Sequence, residues 1–130
     1  MCPNPPAEPL ELELPAAPSS VTTVRHAVAE FCTGQALNHE AVALAVSEAV
    51  ANIVVHAYRD RDPGLVYVSA RLADDALVVV IRDDGHGITP RTDSPGLGLG
   101  LALMSNLTDS IQIDEDARGA RLTMRFARDV

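Results

Sequence analysis

Lysine is absent from this chain: all ten basic residues of the 130 are arginine. Chemistry that depends on a lysine amine, including Schiff-base catalysis and the P-loop phosphate site, is therefore excluded. Tryptophan is missing too, and Cys2 and Cys32 are the only cysteines. They are too few and too differently placed for a disulfide framework, and no C-x-x-C offers a metal site. Cys32, near the end of an apolar helical pattern, is expected in the core. No apolar run approaches the roughly 20 residues that span a bilayer, and the start MCPNPPAEP has neither the basic region nor the apolar stretch of an export signal. A cytoplasmic location without a membrane partner is the expectation. Positive charge is scarce, since ten arginines against eighteen acidic residues give a net charge of −8. That balance argues against nucleic acid or an anionic membrane as principal partner and is compatible with a basic protein.

What is present reads as one globular domain, with 47% hydrophobic and 22% charged residues and length enough for a core. Residues 1–9 hold four of the nine prolines and are expected to form a disordered or extended tail, leaving 10–130 as the folded domain. Leu10, Leu12 and Leu14 alternate with Glu11 and Glu13 as in a half-buried strand. Pro18-Ser19-Ser20 starts a helix that Val21, Val24, Val28 and Phe31 continue to a stop at Gly34. Asn38 can cap a second helix running to about Tyr58, followed by a loop over Arg59–Gly64. Val66–Leu72 alternates, while Ala76–Arg82 is continuously apolar, as expected of a strand buried on both faces or central in a sheet; the two predict a hairpin. Asp83–Pro95 reads as loop and Leu99 to about Leu107 as a short helix. Ser110–Ile113 and Ala120–Ala127 predict two further strands with Asp114–Gly119 as the turn between them. The sum is an α+β fold, a two-layer sandwich with helices on one face of a mostly antiparallel, mixed sheet.

The second helix carries two different faces. Val42, Val46, Val50 and Ile53 form the stripe that a helix buries against a sheet, and the other side bears Glu48, Asn52 and His56 at i, i+4, i+8 among Ala41, Ala45, Ala49 and Val55. A carboxylate and an amide among small side chains suit a ligand wall with oxygen atoms for a cation; a weakly polar, solvated surface is the alternative. Asp83-Asp84-Gly85-His86-Gly87-Ile88 follows directly on the most apolar strand. A buried carboxylate there can accept a hydrogen bond from an exocyclic amine such as that of adenine, with glycines admitting a flat ligand; otherwise it is a β-turn of solvated acids. Gly96-Leu97-Gly98-Leu99-Gly100-Leu101 precedes a helix, where backbone amides suit phosphate, or it is a flexible linker. Its spacing matches neither the Rossmann nor the Walker pattern.

Taken in order, Glu48-x-x-x-Asn52, Asp83-x-Gly85-x-Gly87 and Gly96-x-Gly98-x-Gly100 resemble the asparagine box and two glycine boxes of the GHKL ATPase superfamily. SEAVANIVVHAY and VVVIRDDGHGI look like the anti-sigma-factor serine kinases of the RsbW type, and the likeness covers about Leu10 to Phe126. The resemblance implies a Bergerat-type site for ATP and Mg²⁺. Asn52 would coordinate the metal, Asp83 would accept from the adenine amino group, and Gly85, Gly87 and Ile88 would admit the base. Arg91, Gly96, Leu97, Gly98, Leu99 and Gly100 would cover the phosphates, and Glu48 would deprotonate or orient a serine hydroxyl for attack on the γ-phosphate. It further implies a protein serine/threonine kinase that phosphorylates a small anti-anti-sigma (STAS) protein, sequesters a sigma factor and forms a homodimer. An ATP-gated binding module without kinase activity is the alternative. Two departures stand out: only Thr89–Pro95 separates the glycine boxes, with Arg91 as its one cation, and Ala120 stands where the family often has threonine. Both point to weak nucleotide binding.

Overall fold

In β1, Leu10–Pro15, the leucines turn inward and the glutamates outward, so the period of two expected from the sequence is realised. A computed structural model describes residues 8–57, 64–73, 75–85, 104–116 and 119–128; the expected tail over 1–9 and the loop over Arg59–Gly64 lie mostly outside them. Pro18 opens helix α1, Pro18–Phe31, where its missing N–H costs nothing. Ala17 offers no side-chain cap; the Ser20 hydroxyl instead donates to the Pro15 carbonyl at 2.6 Å and ties the helix to β1. The chain leaves α1 through Gly34 at φ 81°, the left-handed conformation that stops a helix. Cys32 is buried just before it, and burial pushes its thiol up to about 11.

Helix α2, His39–Asn52, is capped as expected: Asn38 Oδ1 accepts from the Ala41 amide at 3.1 Å. It does not run on as an α-helix to Tyr58. Ile53–Ala57 is a π-helical turn, a widening frequent at functional sites. Strands β2, Leu65–Leu72, β3, Ala76–Asp83, β4, Ser110–Asp116, and β5, Gly119–Ala127, complete a sheet of order β1-β2-β3-β5-β4. All four pairings are antiparallel, so among the described residues the sheet is not mixed. β4 is longer than expected because Asp114, Glu115 and Asp116 pair with Arg121, Ala120 and Gly119 rather than forming a turn.

The register places Val68, Ile81, Leu122 and Ile113 in one row and Ala70, Val79, Met124 and Ile111 in roughly the next, all on the face that meets Val24, Val28, Val42, Val46 and Val50 of the helices. This is the core, and both helices lie on one side of the sheet, as expected. β3 is central rather than covered on two faces: its other side carries Val78, Val80 and Arg82 beside Ser69, Tyr67, Thr123 and Arg121. Residues 104–107 are helical, in agreement with the end of the predicted third helix; Met104 is buried in the core.

Candidate functional site

Among the described residues three polar side chains are buried: Ser20, Asn52 and Asp83. Burying a polar group is costly unless it is hydrogen-bonded, so each asks for a partner. Ser20 has the Pro15 carbonyl. Asp83 Oδ1 accepts from the Gly85 amide at 2.8 Å, closing an Asx turn around residue 84. Asn52, 7% exposed, is different: its Nδ2, like the buried Ser47 Oγ on the same helix, has no hydrogen-bond partner among the described residues. It closes α2 just before the π turn, and an amide buried there without a partner fits a ligand that supplies one.

Asp83 is the last residue of β3, facing Val66 on one side and Ala120 on the other. Directly paired residues share a face, so its carboxylate belongs to the helix-covered side together with Val66 and Ala120, both buried. Asp83 therefore lies on the side that the helices cover, and α2, which ends on the buried Asn52, packs against β3. A carboxylate has about four acceptor directions, and the Gly85 bond takes one of those of Asp83. A pocket of about 280 Å³ opens at this end of the sheet; its lining joins Asp83, Glu115, Gly119 and Ala120 with Arg82, Asp84, Asp114 and Arg121 and does not include Asn52. A larger groove of about 540 Å³ lies on the uncovered face along Glu13, Tyr67, Ser69, Arg82 and Arg121 and includes neither Asp83 nor Asn52.

Glu48 is half-buried one turn before Asn52 on α2, about 6 Å along the axis at 1.5 Å per residue. His56, expected to continue the line, falls in the π turn Ile53–Ala57. Ala45 and Ala49 are fully buried in the core rather than leaving room beside a ligand; small side chains there let α2 approach the sheet. The side chain of His56 and the residues Gly87, Ile88, Arg91, Gly96, Leu97, Gly98, Leu99 and Gly100 lie outside the described residues.

Two features escaped the sequence. Gly119 has φ 148° and sits so close to β3 that a Cβ would overlap the Asp83 carbonyl oxygen and come within 2.8 Å of Asp84 Cα. The other is a cluster of Tyr67, Arg82 and Asp84 behind the Asp83 turn. A glycine after an acidic turn was visible, but its contact crosses to another strand.

Comparison with known proteins decides the family. Residues 14–126 match the histidine kinase-like ATPase domain. The chain belongs to that family. It is 36% identical over 97 residues to the anti-sigma F factor of Bacillus subtilis, covering 64% of this chain and 66% of that one. The anti-sigma F factor of Heyndrickxia coagulans is 36% identical over 80 residues, 52% of this chain and 54% of that protein. The chain thus spans between about half and two-thirds of these curated relatives. The solved RsbU and RsbW domains of Rv1364c from Mycobacterium tuberculosis superpose with a TM-score of 0.74 at 26% identity, over 98% of this chain and 34% of that one. The Acinetobacter baumannii histidine kinase AdeS, at 14% identity and a TM-score of 0.57 over 93% of this chain and 68% of its own, shares the fold. The GHKL resemblance and the α+β architecture read from the sequence are borne out. No described helix is long and apolar enough to cross a membrane.

Proposed function

We propose that this chain is an ATP-dependent protein serine/threonine kinase that also acts as an anti-sigma factor, transferring phosphate to an anti-anti-sigma (STAS) protein and sequestering a sigma factor. The observation that carries it is the buried Asn52 Nδ2, without a hydrogen-bond partner among the described residues, on the helix that packs against the strand ending in the buried Asp83. The names of the relatives support the anti-sigma part of the reading.

In this reading Asp83 accepts from the adenine amine, fixed by its bond to Gly85, while Gly85, Gly87 and Ile88 admit the base. Asn52 fits both roles open to an amide, donating to a phosphate oxygen or, with the amide turned, offering its oxygen to Mg²⁺. When bound, Mg²⁺ would neutralise charge on the phosphates. Arg91, Gly96, Leu97, Gly98, Leu99 and Gly100 cover the phosphates through their backbone amides and one guanidinium. Glu48 takes the proton of the partner's serine hydroxyl or orients it; the serine oxygen bonds to the γ-phosphorus and the bond to the ADP oxygen breaks. The chain acts as a homodimer in the cytoplasm, without nucleic acid or membrane as partner.

Transfer of labelled γ-phosphate from ATP to a STAS protein tests this. Glu48→Gln is expected to slow transfer by about 100-fold or more while leaving ATP affinity intact, as loss of a general base does. Transfer at the parent rate would remove Glu48 from the mechanism. Partner affinity that changes with ATP while no label reaches any partner would leave an ATP-gated binding module instead.

A further inference from the structure

We propose that Tyr67 and Asp84, on the uncovered face of the sheet, are positioning residues that hold the Asp83 carboxylate in the geometry that recognises an adenine amine. The inference rests on the ATP-binding reading above and deepens it. Tyr67 of β2 lies directly opposite Arg82 of β3, on the face away from the helices. The Arg82 guanidinium stacks 3.9 Å over the Tyr67 ring centroid. The Tyr67 hydroxyl donates to Asp84 Oδ2 at 2.8 Å, and Arg82 donates to Asp84 Oδ1 at 3.1 Å. Both oxygens of Asp84 are thereby held from two different strands.

Asp84 is the residue around which the Asx turn closes, because Gly85 N donates back to Asp83 Oδ1 across it at 2.8 Å. That ring persists only while residue 84 keeps its backbone angles, so whatever anchors the Asp84 side chain also fixes where the Asp83 carboxylate lies on the opposite face. Stability is a poor account of the cluster, since the Arg82 and Asp84 side chains are 41% and 45% exposed and ion pairs so exposed contribute little. The Asp84 carboxylate also holds the Tyr67 hydroxyl above the usual tyrosine range. Position is what the arrangement supplies: preorganisation of an acceptor whose value depends on a few tenths of an ångström.

Tyr67→Phe keeps the ring under Arg82 and removes only the hydroxyl. ATP and inosine triphosphate, which has a carbonyl where adenine has its amine, are titrated with Mg²⁺ into the full chain and the variant. ATP affinity is expected to fall about five-fold, the worth of one net hydrogen bond, while inosine triphosphate binding is unchanged, so discrimination narrows by the same factor. Asp84→Asn should lose discrimination likewise, and the double variant should be no worse than the more affected single one. Equal losses for both nucleotides, or none, would overturn the proposal. Hydrogen exchange at the Gly85 amide of the nucleotide-free chain separates this idea from the reading beneath it. Faster exchange in Tyr67→Phe is expected; unchanged exchange would overturn the clamp even if the parent chain binds ATP. Faster exchange in Tyr67→Phe, with a parent chain that binds no nucleotide, would instead overturn the ATP reading alone.

Discussion

At Asp83 three constraints meet: strand pairing to Val66 and Ala120, the Gly85 amide on its carboxylate, and Gly119 pressed against its carbonyl. The last makes Gly119 irreplaceable on two counts, a backbone angle that L side chains rarely adopt and the absence of space for a Cβ. Gly119→Ala is expected to cost about 2–4 kcal/mol in urea unfolding, summing a strained backbone and an overpacked contact. A loss below about 0.5 kcal/mol, the ordinary scatter of surface substitutions, would show that β5 can shift away from β3 without penalty. Asn52 and Asp83 were legible in the sequence because local spacing announced them. Tyr67 and Gly119 were not, because each acts on a residue many positions away and only the strand register brings them together. Ala120 stands directly opposite Asp83, so the missing hydroxyl noted in the sequence concerns the row of the sheet that holds the candidate acceptor.

The strands and the first two helices formed about where their periods and caps placed them, and the departures have physical causes. Asn38 was readable as a cap because a short polar side chain three residues before a helical amide can reach it, and it does. Asn38→Ala is expected to lower stability by about 1 kcal/mol with the denaturant slope unchanged; an unaltered midpoint would mean that the Ala41 amide finds water equally well. The π turn Ile53–Ala57 was invisible, since IVVHA has an apolar composition that an α-helix would carry as well. The extra residues of β4 were misread as a turn because Asp114, Glu115 and Asp116 look solvated. They sit on an edge strand, where charge is tolerated and discourages further pairing, and Asp114 faces Arg121 across the ladder.

For the molecule as a whole, the alternation of β1, β2 and β5 and the valine stripes of the helices were enough to specify two layers with the helices on one side. What the sequence left open was whether β3 was doubly covered, and the answer is a central strand in a sheet whose second face carries no helix among the described residues. A nucleotide site between helices and sheet has as its structural sign the buried Asn52 Nδ2, which lacks a hydrogen-bond partner among the described residues. Isothermal titration of the chain with ATP and ADP, with and without Mg²⁺, beside Asp83→Asn, tests for that site. Mg²⁺-dependent ATP binding that the substitution abolishes is expected, because an amide presents a donor where the adenine amine needs an acceptor. No binding at high protein concentration, or equal affinity in Asp83→Asn, would contradict it.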